Sequence, residues 1–153
     1  MTQRLDYRTA SPKGLEAMAG LEVYVRGSGL EKPLLELVKT RVSQINGCAY
    51  CLDMHTKDAR AGGESEQRLY TLSAWRETPF FTARERAALA WAEAVTRIAK
   101  GPIEDALYES ARQQFGEKEL VDLTLAVIAI NGWNRLAIPF HAEAGTYQPK
   151  RHG

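Results

Sequence analysis

Cys48, Cys51 and His55 are the residues of this chain whose types and spacing most directly suggest chemistry. They include both of its cysteines and one of its three histidines. Two thiols three positions apart reach each other across one helical turn. At ~100° per residue, His55 falls within about 40° of either cysteine, on the same stripe. A helix starting near Cys48 puts both sulfurs beside unpaired backbone N–H groups and the positive end of the helix dipole, which favour a thiolate. Cys51 and His55 have i,i+4 spacing, so the imidazole is placed to take the thiol proton. On these grounds Cys51 is expected to titrate below the ~8.5 of a free thiol. The stretch reads as a dithiol redox centre.

Two blander readings compete. Free cysteines are often buried small hydrophobes, and a lone histidine usually hydrogen-bonds a backbone carbonyl. The helix start and the shared stripe make both weaker here. Zinc is the other alternative, with Cys48, Cys51, His55 and His141 as ligands. The C-x-x-C-x-x-x-H spacing is tighter than usual for a structural zinc site, however, and no second C-x-x-C exists. Glu36 lies twelve residues before Cys48. It is either a solvated i,i+3 partner of Lys39 or the carboxylate that orients His55. Spacing leaves these open, because the turn at Asn46-Gly47 sets the angle between the two segments.

The elements that must position these residues all read as helices. Residues 1–10 form a loose polar arm. Ser11-Pro12 opens a helix with apolar Leu15, Met18, Ala19, Val23 and Val25, closed by Gly27-Ser28-Gly29. Glu31-Lys32-Pro33 opens a second, whose Leu34, Leu35, Val38, Val42 and Ile45 keep helical spacing. Asn46-Gly47 breaks it, and the redox helix runs from about Cys48 to Gly62-Gly63. A short helix from Ser65 to about Trp75 follows. Thr82-Ala83-Arg84-Glu85 matches a capping box. The helix it starts is expected to bury Ala88, Trp91, Ala92, Val95, Ile98 and Ala99. A shorter helix covers about Ile103 to Gln114, and a long one begins near Lys118. Leu120 to Ile130 is almost wholly apolar, which suggests burial on most sides, partly by another subunit. No alternating run argues for a strand, so the class is all-α. A single helical domain spans residues 11–145, with a polar tail from 146 to 153.

Ile130-Asn131-Gly132-Trp133-Asn134-Arg135-Leu136 repeats the pattern of Ile45-Asn46-Gly47-Cys48-Ala49-Tyr50-Cys51 after 85 residues. It suggests a duplicated helical unit whose second copy lost its thiols.

Composition narrows the function. The chain has 153 residues, 44% of them hydrophobic, and a formal net charge of +1. That suits one domain with a real core. It lacks the basic, aromatic-interleaved runs of nucleic-acid binders. No apolar stretch reaches membrane-spanning length, and the N-terminus lacks a signal-peptide core, so a cytoplasmic location is expected. A C-x-x-C in a reducing compartment is more often catalytic or metal-binding than structural. No flavin or nicotinamide motif is present, so no cofactor is expected.

The segment Leu34-Leu35-Glu36-Leu37-Val38-Lys39 through Ser43-Gln44-Ile45-Asn46-Gly47-Cys48-Ala49-Tyr50-Cys51-Leu52-Asp53-Met54-His55 resembles the core of the AhpD-like alkylhydroperoxidases, in the carboxymuconolactone decarboxylase superfamily. That pattern is a Glu followed about twelve residues later by C-x-x-C-x-x-x-H, and Glu36 falls on its position. The Ile130–Arg135 segment resembles a later segment of the same proteins, and the resemblance spans about residues 15 to 145. It implies an AhpD-like helical bundle, a trimeric or hexameric homo-oligomer, and peroxide reduction at a cycling C-x-x-C. It also implies Cys51 as peroxidatic thiolate, Cys48 as resolving thiol, Glu36 and His55 as proton relay, and an external, lipoyl-type dithiol as reductant. Better-known members carry a second His between the cysteines where this chain has Tyr50. The rival expectations are a lyase acting on a lactone acid and a redox-sensing oligomer that does not turn over.

Overall fold

The computed structural model describes residues 1–150. Among them there are helices and turns but no strand, as the sequence predicts. The elements run α1 (Tyr7–Ala10), α2 (Pro12–Arg26), α3 (Lys32–Asn46), α4 (Ala49–Ala61), α5 (Glu66–Thr71), α6 (Ala83–Thr96), α7 (Asp105–Arg112) and α8 (Glu117–Ala137). Short 3-10 segments follow α5 (Leu72–Glu77) and α6 (Ile98–Lys100).

Two helices form the axis of the bundle. α3 is packed by α4, α6 and α8, and nine of its consecutive or near-consecutive residues, from Leu34 to Ser43, are buried. α8 packs on α2, α3 and α6. Between them lies the main core, with Val38 and Val42 from α3, Leu123, Val127 and Ile130 from α8, and Ala88 and Ala92 from α6. Both cysteines belong to this core. A helix buried on nearly all sides must answer the charges it carries. Lys39 is ion-paired with Glu22 of α2. Arg41 Nε donates to Glu93 Oε1 of α6 at 2.8 Å, and Trp75 Nε1 donates to the same oxygen at 3.0 Å.

The turn between α3 and α4 is the one the site depends on. Gly47 adopts φ +70°, the left-handed region. Cys48 N–H donates to Ser43 O at 3.0 Å and Gly47 N–H to Gln44 O at 3.3 Å, the paired bonds of a Schellman cap. Cys48 then serves at once as the N-cap of α4, its own carbonyl accepting from Leu52 N–H at 2.9 Å. One residue of special backbone therefore joins two helices with no loop between them.

Several boundaries differ from those expected. α6 ends at Thr96, and Ile98 (63% exposed) and Ala99 lie outside the core in the 3-10 turn that follows. The helix expected from Ile103 to Gln114 is confined to Asp105–Arg112. Trp75 stands in a 3-10 segment rather than at the end of α5. The first ten residues, expected to form a loose arm, are exposed except for Tyr7 but touch the body at several points. Asp6 caps α1, Tyr7 is buried with its ring 5.9 Å from that of Phe140, and Arg4 N–H donates to Phe140 O. Part of the polar tail also lies on α4, where Tyr147 Oη donates to Asp58 Oδ1 at 2.7 Å and Lys57 Nζ to Tyr147 O at 3.0 Å.

The sequence echo meets itself in space. Asn46 Nδ2 donates to Oδ1 of Asn131, its counterpart, at 3.0 Å. The backbone does not repeat, however. Gly47 ends a helix, whereas Gly132 sits inside α8. There a Cβ would come within 2.7 Å of Met18 Cε on α2. On the outer side of α8, Val121 (60%) and Ile128 (50%) are exposed, so one side of the apolar stretch is not covered by the chain itself.

Candidate functional site

Cys48 and Cys51 are both free thiols, each 1% exposed. Cys48 is the N-cap of α4, although its sulfur makes no capping hydrogen bond to the first turn. The neighbouring Cys51 thiol acts on it most strongly, and the backbone N–H groups of Cys51 and Tyr50 act in the same direction. The side-chain amide of Asn134, from α8, acts on it in the same direction. Together these outweigh burial and bring the Cys48 thiol down from its ordinary value of 9.0 to about 7. Cys51 moves the other way. The adjoining Cys48 side chain and burial both disfavour its thiolate, and a charge on Cys48 would repel its own, so its pKa is raised. The expectation that Cys51 would be the acidic thiol is thus reversed. The helix start acts on the capping residue, Cys48, while Cys51 lies one turn inside and holds the proton of the pair.

His55 lies one turn beyond Cys51 on α4 and is 3% exposed. Its Nδ1 is 2.8 Å from Glu36 Oε2. Of the two readings of Glu36, the structure realises contact with the imidazole, and Lys39 is turned instead to Glu22. The Gly47 turn is what brings the middle of α3 alongside the middle of α4. Glu36, His55 and Asp58 also offer one nitrogen and two carboxylate oxygens within 4.8 Å of one another, a donor set suited to a borderline or hard cation. It contains no cysteine, unlike the ligand set weighed from the sequence. His141 is elsewhere, with Nδ1 3.3 Å from Thr2 O.

Beside the pair is a cavity of about 170 Å³. Cys51 and His55 form part of its wall, together with Arg8, Tyr50, Met54 and Trp133, whereas Cys48 does not reach it. The cysteine that holds the proton is therefore the one that faces the cavity, and the cysteine favoured as thiolate lies behind it.

Sequence reading missed three contributors. Asn134 is fully buried, accepts from Asn46 Nδ2 at 2.9 Å and donates to Ser43 Oγ at 3.1 Å. The repeated Ile-Asn-Gly pattern contained it, but its role depends on α8 lying across α3. Tyr147 donates to Asp58 beside Glu36 and His55, and burial together with that carboxylate pushes its hydroxyl up to about 12. Arg8 donates from Nη2 to Tyr50 Oη at 3.1 Å. No spacing rule links an N-terminal arginine to a residue forty-two positions on.

A sequence model of the carboxymuconolactone decarboxylase family matches residues 10–94, more than half of the chain and the part that holds Glu36, both cysteines and His55. The chain belongs to this family. Within it, YdfG of Bacillus subtilis (strain 168) is 45% identical over 138 residues, covering 90% of this chain and 94% of its own. ATU0492 of Agrobacterium tumefaciens, a protein of unknown function provisionally assigned to antioxidant defence as an AhpD, superposes with a TM-score of 0.92 at 44% identity. That match covers 95% of this chain and all of the other. A peroxidase-related protein from Silicibacter sp. TM1040 gives a TM-score of 0.77 at 28% identity, covering 86% of this chain and 70% of its own. The family, the AhpD-like character and the all-α fold expected from the motif are thereby shown.

Proposed function

We propose that the protein is a thiol-dependent peroxidase in which Cys51 attacks the peroxide and Cys48 closes the disulfide. The observation that carries this reading is the placement of a reduced dithiol whose cavity-facing member shares a wall with a carboxylate-bound imidazole. The Cys51 proton passes to the neighbouring Cys48 sulfur, leaving the thiolate on the cavity side. Cys51 sulfur attacks the terminal peroxide oxygen, the O–O bond breaks, and a sulfenic acid forms. The departing alkoxide takes one proton through His55, held by Glu36. Cys48 sulfur then attacks Cys51 sulfur. Hydroxide leaves and combines with the Cys48 proton, giving water and the disulfide. One hydroperoxide is reduced to an alcohol and one dithiol is oxidised.

The chain has no reducing group of its own beyond this pair, so an external dithiol, of lipoyl type by family resemblance, restores it by exchange. The exposed Val121 and Ile128 on α8, near exposed Val23 and Tyr24 on α2, support self-association as a trimer or hexamer. No helix among the described residues is long and apolar enough to cross a membrane. A reducing compartment such as the cytoplasm suits a cycle that needs its disulfide reopened.

Steady-state peroxide consumption with a panel of dithiols tests the reading. Turnover that depends on both cysteines is expected. A single stoichiometric oxidation without turnover would favour a redox sensor. Turnover of a lactone acid insensitive to thiol blocking would favour a lyase.

A further inference from the structure

Arg8 differs from its neighbour at the cavity. Arg26 also lines the wall, but its Nε is paired with Glu22 Oε1 at 3.1 Å, and Glu22 is met by Lys39 too. Among the described residues no carboxylate lies within 4.0 Å of the Arg8 guanidinium. Asp6, the nearest in sequence, is engaged in capping α1 through Arg8 N–H and Thr9. Arg8 is nonetheless held in place. Its guanidinium carbon is 5.6 Å from the ring centre of Tyr7 and 5.7 Å from that of Tyr50, and Nη2 donates to Tyr50 Oη. A guanidinium has five N–H donors, so most of its hydrogen-bonding capacity is left over. An exposed cation held beside two tyrosine rings, with no carboxylate partner, is placed for a carboxylate, which it can grip with two parallel bonds.

The rest of the wall fits the other half of such a molecule. Met54, Trp133, Ala137 and the tyrosine rings are apolar surface. At about 170 Å³ the space is smaller than the ~300–1,000 Å³ of pockets for drug-sized ligands, so it suits a compact body. Arg8 and Cys51 line the same cavity of about 170 Å³, so a molecule bound through an anionic group at Arg8 shares that space with the reacting sulfur.

We infer that the cavity selects small organic hydroperoxides that carry a carboxylate, with Arg8 binding that carboxylate and the apolar wall holding the body between it and Cys51. The hydroperoxide part of this assignment rests on the peroxidase reading, whereas the carboxylate part rests on Arg8 and the cavity alone. The position between the cysteines then has a specificity role. Tyr50, standing where a second histidine is familiar in related proteins, is the platform that fixes Arg8.

The test separates the two parts. Calorimetry on the reduced, full-length protein at low salt compares 4-isopropylbenzoate with 4-isopropylbenzamide, equal in shape but differing in charge. The benzoate is expected to bind at least ~10-fold more tightly, the scale of a charge-assisted hydrogen bond. Arg8→Gln should abolish that difference and Arg8→Lys should keep part of it, with thermal melting to establish that both variants fold. In turnover, the acid-to-methyl-ester ratio of kcat/KM for 4-carboxycumene hydroperoxide should exceed ten and fall toward one in Arg8→Gln, mainly through KM. Equal binding of benzoate and benzamide, or a preference that survives Arg8→Gln, overturns the assignment. Arg8-dependent benzoate binding with no hydroperoxide consumed would instead overturn the peroxidase reading and leave a small-carboxylate site.

Discussion

Replacing each cysteine by alanine in turn should reveal which sulfur carries the charge. In the intact reduced pair, Cys48 falls from 9.0 to about 7. The largest cause is the neighbouring Cys51 thiol. Cys51→Ala removes that thiol, and the midpoint of Cys48 should rise by at least about one pH unit. The thiolate fraction at neutral pH then drops from about a half to about a tenth. Cys48→Ala should do the opposite to Cys51, because the adjoining thiol and the facing charge that raise it both vanish. Asn134→Ala should raise Cys48 by less than Cys51→Ala does, since its amide is one cause among several. Thiolate ultraviolet absorbance against pH reads these equilibria regardless of how buried the sulfurs are, and mass spectrometry after brief alkylation assigns them. A wild-type midpoint at or above 9, or one that Cys51→Ala leaves in place, would refute the argument. The same shifts give a stability profile. The depressed Cys48 contributes stability that is full above its unfolded value and is lost as pH falls from 9 through about 7. The raised Cys51 contributes stability below its ordinary value that is lost as pH rises beyond it. Denaturation of the reduced protein should therefore show a gain between pH 7 and 9 that Cys48→Ala abolishes.

His55→Ala should slow sulfenic acid formation by about 10²–10⁴-fold with both thiols intact, and Glu36→Gln by less, because it acts through the imidazole. Dimedone trapping followed by mass spectrometry measures both, and trapping at Cys48 instead of Cys51 would exchange their roles. Gly47→Ala should lower stability by about 1–2 kcal/mol from backbone conformation alone, since nothing lies within 4 Å of the added methyl, and denaturant unfolding would show it. If the chain self-associates as proposed, Val121→Glu combined with Ile128→Glu should leave it monomeric in light scattering with unchanged helical circular dichroism, because both side chains are at least half exposed in the single chain.

The sequence determined the helices and the stripe on one of them. Pro12 and Pro33 near helix starts, Gly47 at a helix end and the Thr82/Glu85 box are local signals, and each is realised where it was read. The grouping of Cys48, Cys51 and His55 needed nothing beyond helical geometry. The end of α6 was less legible, because Ile98 and Ala99 continue the apolar period after the backbone has left the helix. Spacing put His55 nearest to Cys51 along the helix and so favoured that thiol, whereas the surroundings of the cap lower Cys48 and raise Cys51. One of those surrounding groups, Asn134, comes from α8, and its position follows from two buried helices crossing. The contact of Glu36 with His55 likewise required the angle that the Gly47 turn imposes between α3 and α4, a property of one left-handed residue amplified over about three turns of α3 and two of α4. Arg8 lay furthest from any reading of the chain. It reaches Tyr50 because Tyr7 is buried beside Phe140, and a side chain's partner across the molecule is fixed by packing, which no local period encodes.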